Sequence, residues 1–506
     1  MNITINRESN TPVYIQIVNI IRDMILSGQL AAGQPLPPER KLADQLDVNR
    51  STVLKAYQEL KTDGLLGSHV GRGTVVLPQV FDPHKQAFDT VYPVQWDQLF
   101  NKNIIGLDDN IVSSIMKVTS REGVISFAGG MPAADVYPVE EFLDIQSLLS
   151  RETVAKLMSH SPVEGFLPFR ESLSGHMEQR GIKITSKDIM VLSGSQQGLD
   201  FTARCLLCPG DIVVVEEPTY MGALNVFKAS GARILGIPVD KEGMRVDMLD
   251  GLLKRYKPKL IYTLPTFQNP SGTVMSPERR HQLLELSYMH QVPILEDDPY
   301  GELRYEGTAI PPIKALDRHG YVIYLSTFSK VFFMGMRVGW VAAPKQIIEK
   351  FSVLKQITDL QVNTPAQYLF NEFLRGTLYR GHLARVIQEY TLRRDCMISE
   401  LLKYSSLNIN WNKPEGGYYL WCSLPRSTSQ EALFSEAKKQ GVAYVPGISF
   451  YPNGEQGSSH MRLNFTFAAP ARIKEGIRRL AKSIELATGA SAFRREQAEY
   501  GAGPIV

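Results

Sequence analysis

The chain is poor in several things at once. Among 506 residues there are four cysteines, Cys205, Cys208, Cys396 and Cys422. So few argue against a disulfide scaffold. Cys205 and Cys208 form a C-x-x-C, but no second pair completes a zinc site. A structural pair on an apolar helix is the expectation there, ahead of a redox site, with no metal. The formal net charge is only +3, so no global basic field attracts nucleic acid, and any such affinity must come from a local patch. No apolar run approaches the roughly 20 residues that a membrane span needs, and residues 1–7 lack the charged-then-apolar pattern of a signal peptide. What remains is an ordinary composition, 43% hydrophobic and 21% charged, in a chain too long for one core. About two to four domains are expected, in the cytoplasm.

Helical spacing is strong near the start. Val13, Ile17, Ile20, Ile21, Met24 and Ile25 predict a helix within 12–30, stopped by Gly28 and Gly33. A proline-rich connector at 35–38 follows. A short helix over 39–46 comes next, burying Leu42, Ala43 and Leu46. A turn through 47–49 leads to a helix over 50–63 with Val53, Leu54, Tyr57 and Leu60 inward. Helix, short turn, helix is the helix-turn-helix pattern. Residues 64–77 then read as a hairpin with Arg72 between two glycines at its tip, which makes a winged helix. Such a domain reads bases from the N-terminal half of its second helix, here Arg50, Ser51, Thr52 and Lys55. Arg40 is placed to reach phosphate, and Arg72 to reach phosphate or minor groove. Acidic residues nearly balance the basic ones in this stretch, so the face that the bases occupy decides binding. The same fold also serves protein contact. The motifs at 36–43, 48–53, 64–66 and 71–74 resemble, in order, the GntR family of bacterial winged-helix repressors. The first domain is therefore set at 1–78, followed by a linker at 79–107 where periodicity fades.

The rest alternates strands and helices, which predicts an α/β fold with a mostly parallel sheet and functional groups at strand C-termini. Residues 326–340 hold Lys330 just past an apolar strand-like run, with hydroxyls before it and an arginine seven positions later. Such a lysine suits Schiff-base chemistry with an aldehyde cofactor, and Thr327, Ser329 and Arg337 suit its phosphate. A surface lysine beside a buried strand explains the motif equally well. Gly130 lies in a glycine-rich turn where backbone can approach a small carboxylate. Ser195 and Gln196 start a helix after a strand and tight turn, a seat for phosphate. Tyr220 ends an apolar strand, positioned to stack on a flat ring or simply to pack in a core. Asn269 ends another strand and can donate to a phenolate oxygen. Asp297 and Tyr300, three apart beyond a strand, suit a pyridine nitrogen and the same ring oxygen.

Asn269-Pro-Ser-Gly272, Asp297-x-x-Tyr300, Ser329-Lys330 and Arg337, in that order, resemble fold-type I pyridoxal 5′-phosphate aminotransferases, nearest the branch acting on aminoadipate, aromatic or kynurenine-like amino acids. The resemblance implies a large domain with a small C-terminal α+β lobe over 108–486, and a tail at 487–506. It also implies roles. Lys330 forms the internal aldimine, Asp297 pairs with the ring nitrogen, and Asn269 and Tyr300 hold the ring hydroxyl. Tyr220 stacks, while Ser195, Gln196, Thr327, Ser329 and Arg337 hold the phosphate. Arg462 stands where the family keeps its clamp for a substrate α-carboxylate, for which a planar guanidinium is suited. Residues 414–421 match the family too.

Two positions depart from it. His160 stands where a tyrosine usually reaches a neighbouring subunit's phosphate, and residues 332–336 replace the usual Pro-Gly, so that loop is expected to differ in shape. The pairing of a winged helix with an aminotransferase-like body resembles the MocR/GabR subgroup of the GntR family. It implies a homodimeric regulator, bound to a double-stranded operator of two half-sites, that senses an amino acid or related amine through Lys330. An active aminotransferase, or a regulator that senses the cofactor itself, are the alternatives.

Overall fold

The computed structural model describes residues 3–7, 11–69, 71, 73–78, 99–105, 107, 119, 122–425 and 427–488. Arg72, most of the expected linker and the tail beyond 488 lie outside the described residues. The chain divides into two compact units, Met1–Trp96 and Asp97–Val506. Among the described residues, no helix is long and apolar enough to cross a membrane.

In the first unit, three helices close on one apolar core. Val13–Leu26 buries Ile17, Val18, Ile21 and Ile25, positions that share a face at helical spacing. Glu39–Leu46 follows three prolines, which cannot donate backbone hydrogen bonds, and stops at Asp47 in the left-handed region (φ 50°). Arg50–Thr62 buries Val53, Ala56, Tyr57 and Leu60. Leu54 was expected inward. It is 37% exposed, because one position past Val53 turns it about 100° around the helix, and the small Ala56 fills the inward slot instead.

The hairpin Leu66–His69 and Gly73–Val76 is antiparallel, with Leu66 opposite Val76 and His69 opposite Gly73. The connector does more than space the helices. Leu36 N donates to Thr74 O at 2.8 Å and Val76 N to Gln34 O at 3.0 Å, so the segment lies along the wing as a further strand-like edge.

The second unit is built on eight strands. Their order is Ile189–Leu192, Gly339–Ala342, Val322–Thr327, Ile294–Asp297, Leu260–Thr263, Ile212–Glu217, Arg233–Asp240 and Gly243–Met244. The pairs from Val322–Thr327 through Arg233–Asp240 are parallel. Gly339–Ala342 runs antiparallel to both neighbours, and Gly243–Met244 is antiparallel to Arg233–Asp240. Side chains alternate between faces. Val214, Ile261, Ile294 and Val322 meet one layer of helices, while Val213, Tyr262, Leu295 and Ile323 meet the helices carrying Leu199, Phe227 and Phe351. Buried on both sides, such strands are largely apolar, with polar residues such as Glu216, Thr263, Glu296 and Asp297 at their C-terminal ends.

A smaller antiparallel sheet, in the order Asn410–Trp411, Tyr419–Ser423, His460–Asn464 and Val445–Pro446, forms the C-terminal lobe. Its core joins the helices Leu378–Leu402, Gln430–Gln440 and Pro470–Ala487. The fold is thus α/β with a small α+β lobe. Cys205 lies in the helix Ser195–Leu206, but Cys208 lies beyond its end and is exposed, so the pair does not share an apolar helix face.

Candidate functional site

The strands of the large sheet end at a cavity of about 900 Å³ between the sheet and the small lobe. It is lined by Gly130, Ser195, Gln196, Tyr220, Asn269, Asp297, Tyr300, Thr327, Ser329, Lys330, Arg337 and Arg462, every residue expected to hold the cofactor or the effector carboxylate. Parallel strands deliver Asp297 and Thr327 at their C-terminal ends, where their alignment puts loop residues on one side.

Lys330 follows the strand Val322–Thr327 in a short 3₁₀ turn, whose Thr327 side chain accepts from Ser329 N at 3.1 Å. Its Nζ donates to the Gly130 carbonyl at 2.7 Å. Burial lowers the Lys330 amine below the usual lysine value; Tyr419 and Asp297 oppose that shift, and Arg462 and Arg337 add to it. Asp297 is 2% exposed. Its Oδ2 accepts from Tyr262 at 2.9 Å, and its Oδ1 is buried with no hydrogen-bond partner among the described residues. Burial, reinforced by Asp298, pushes the Asp297 carboxyl up to about 7 against the Tyr262 hydrogen bond and Lys330. A buried carboxylate oxygen facing a cavity without a partner is costly unless a ligand supplies one. A protonated ring nitrogen of a ligand could be such a partner.

In the same lining, Ser195 opens a twelve-residue helix, and the N-terminus of a helix is a ready seat for an anion. Gly194 precedes it at φ 89°, and a side chain there would meet Arg337 Nη2 at 2.5 Å. Arg337 itself bonds the Ser193 carbonyl at 3.1 Å and approaches Ser329 Oγ at 3.4 Å. Ser195, Thr327, Ser329 and Arg337 therefore share one cavity lining, a set of donors that could hold a phosphate. The loop at 332–336 makes a 3₁₀ turn over Met334–Met336 that ends with Arg337 in the left-handed region, φ 55°. Tyr220 donates to Gln196 Oε1 at 3.2 Å, and burial pushes its phenol up to about 12. Tyr300 donates to Tyr419 at 3.2 Å.

Arg462 lies on the strand His460–Asn464 and is 4% exposed. Its Nη1 donates to Asn269 Oδ1 at 2.9 Å and its Nη2 to the Ala128 carbonyl at 2.8 Å. Nε has no partner among the described residues, and the guanidinium carbon sits 4.0 Å from the Tyr419 ring centroid. A buried cation held only by neutral acceptors is set to receive an anion. His160 is exposed and does not line the cavity.

Two residues escaped the sequence reading. Tyr262 holds Asp297 from the neighbouring strand. Tyr419 stacks on Arg462, and its hydroxyl would lie 2.6 Å from a Cβ added at Gly130. Burial pushes the Tyr419 phenol up, but Arg462, Lys330 and the Tyr300 hydroxyl outweigh it and bring it below the usual phenol value. Tyr419 sits inside the 414–421 stretch, yet only a contact across the two lobes gives it a role.

In the first unit, Arg40, Arg50, Ser51 and Lys55 are exposed and Thr52 is half-buried. Arg50, Ser51, Thr52 and Lys55 occupy the N-terminal half of Arg50–Thr62, and Arg40 starts the helix before it. Arg50 Nη2 lies 3.3 Å from Glu39 Oε2.

Residues 140–480 match the family described as aminotransferase class I and II, and residues 13–76 match bacterial regulatory proteins of the gntR family. The chain belongs to the class I and II aminotransferase family, and it carries a GntR-family regulatory domain. Along most of its length the chain is also similar to HTH-type transcriptional regulators and, at 27% identity over 95% of this chain, to the probable rhizopine catabolism regulatory protein MocR of Rhizobium meliloti.

An uncharacterized HTH-type transcriptional regulator of Bacillus subtilis, YisV, is 31% identical over 94% of this chain and 97% of its own. The body alone is 40% identical to aromatic-amino-acid aminotransferase 1 of Thermococcus litoralis, over 78% of this chain and 95% of that one. Among solved structures, the α-aminoadipate aminotransferase LysN of Thermus thermophilus, complexed with N-(5′-phosphopyridoxyl)-L-leucine, is 32% identical with a TM-score of 0.73, covering 79% of this chain and all of that one.

Proposed function

We propose that this MocR-type protein is a pyridoxal phosphate-dependent transcription regulator that reads an amino acid or related amine in the body and reports it on DNA. The observation that carries this is the convergence, in one cavity, of a lysine, an unpartnered buried carboxylate oxygen and a buried arginine, in a chain that also has a GntR domain. When bound, the cofactor supplies an aldehyde that exchanges between primary amines and a ring that draws electrons.

The protein's own groups do the rest. Lys330 presents an amine whose lowered pKa keeps more of it uncharged and nucleophilic. With the cofactor bound, Asp297 would face the ring nitrogen and favour its protonated form, and Asn269 and Tyr300 would hold the ring oxygen. Tyr220 covers the ring face. Ser195, Gln196, Thr327, Ser329 and Arg337 hold the phosphate. Arg462 takes the effector's carboxylate, with the Gly130 turn beside it, and so selects amino acids over plain amines. An effector that displaces Lys330 changes these contacts. It can bias DNA binding only by fitting one arrangement of the body better than another.

The body fold is typically dimeric, and we infer a homodimer in the cytoplasm with two winged helices on a two-half-site operator. Arg40, Arg50, Ser51, Thr52, Lys55 and Arg72 form the DNA-binding set. Enzymatic transamination is a second reading, favoured by the 40% identity to an aminotransferase.

The test is a combined spectral and DNA-binding titration of the full chain against a panel of amino acids. Visible absorbance that Lys330→Ala abolishes, and an operator affinity that one amino acid changes, are the expected results. A wild type that stays colourless with added cofactor would sink the cofactor assignment. Rapid multiple-turnover transamination without specific DNA binding would favour the enzyme.

A further inference from the structure

The outward face of the helix Arg50–Thr62 carries one large apolar side chain that its neighbours leave uncovered. Leu54 is 37% exposed, while Val53, Ala56, Tyr57 and Leu60 of the same helix are buried. Helical spacing puts Leu54 beside Arg50 and Ser51, one turn earlier. Around it Arg50, Ser51, Lys55 and Gln58 are all exposed. The two flanking cations are already engaged. Arg50 pairs with Glu39 at 3.3 Å, and the Lys55 ammonium lies 3.8 Å from the Tyr14 ring centroid. The face therefore has an apolar middle and a positive rim.

A lone exposed leucine ordinarily needs no explanation. This one sits in the half of a helix-turn-helix second helix that enters the major groove. Arg50 and Lys55, expected from the sequence among the base readers, flank it as cations that also suit the phosphates at the groove edges. A leucine offers no hydrogen bond to a base edge, and the major groove offers one apolar group, the thymine C5 methyl. We propose that Leu54 is a specificity-determining residue that packs on the C5 methyl of one thymine in each operator half-site. The proposal rests on the DNA-binding reading above and extends it to a base identity.

The experiment begins by selecting an operator from a random duplex pool with the full-length protein. Each thymine is then replaced by uracil in turn, and affinity is measured at one fixed salt concentration. Wild type should bind about fourfold more weakly at one thymine per half-site, the fold-change expected for one buried methyl. Leu54→Ala, an exposed position whose change leaves the core intact, should bind less tightly overall and lose its sensitivity to uracil at that position alone. A wild type indifferent to every replacement overturns the proposal, as does a Leu54→Ala variant that keeps the same penalty. A Leu54→Ala variant with altered oligomeric mass and unaltered base preference overturns it too, and assigns the face to protein contact. A selection that enriches no sequence sinks the DNA-binding reading itself, which separates that failure from this one.

Discussion

Removing the Arg462 guanidinium should erase the distinction between an amino acid and the amine made from it by loss of its carboxylate. Arg462 is buried, bonds only a side-chain amide oxygen and a backbone carbonyl, and keeps an unpartnered Nε. A carboxylate arriving there makes charge-assisted hydrogen bonds of about 1.5–3 kcal/mol each. Two of them amount to on the order of 3 kcal/mol, or about a hundredfold in affinity. The assay is the visible spectrum of cofactor-loaded protein, titrated with the effector amino acid and then with its decarboxylated amine.

Wild type should prefer the amino acid by about a hundredfold or more, and Arg462→Ala should bring the ratio close to one. The ratio cancels general damage to the pocket, since both ligands meet the same altered site. Arg462→Lys should fall between, because an ammonium keeps the charge without the planar fork. An Arg462→Ala protein with the wild-type ratio would refute the clamp, whatever its absolute affinities.

Two further outcomes follow from the buried titrating groups. Asp297 rises from an ordinary 3.8 to about 7 in the folded chain, so between those values the native state holds a proton that the unfolded chain has lost. Stability of the cofactor-free protein therefore falls as pH rises through that window, by up to about 4 kcal/mol. Denaturant melts should show cofactor-free Asp297→Asn gaining on wild type from pH 4.5 to pH 8, and an advantage that does not change with pH would contradict a buried carboxyl. Tyr419 supports the charged form of Lys330, so Tyr419→Phe should lower the Lys330 pKa. The pH profile of pyridoxal attachment to the cofactor-free protein should then move to lower pH, and an unmoved profile would leave Tyr419 with packing alone.

What the sequence revealed follows the range of the interaction. Asp297, Tyr300, Thr327 and Lys330 were legible because each closes an apolar run, and a parallel sheet gathers such positions at one edge. Tyr262 and Tyr419 were not, because a tyrosine inside an apolar strand reads as core until its hydroxyl finds Asp297 from the next strand or Tyr300 from the large domain. Asn269 and Arg462 were each legible alone, but their bond joins positions 193 residues apart, which no local pattern encodes. Gly339–Ala342 shows a rule left unused. It begins only twelve positions after Thr327, too short a connection for the usual crossover to a parallel neighbour, so its antiparallel course was decided by length. Leu54 shows the opposite error. Its apolar identity pointed inward while its position, next to Val53, pointed out, and on a helix position wins. That misreading is informative in itself: periodicity places this apolar side chain on the outer face of a groove-reading helix, where the one apolar group a base offers is the thymine C5 methyl.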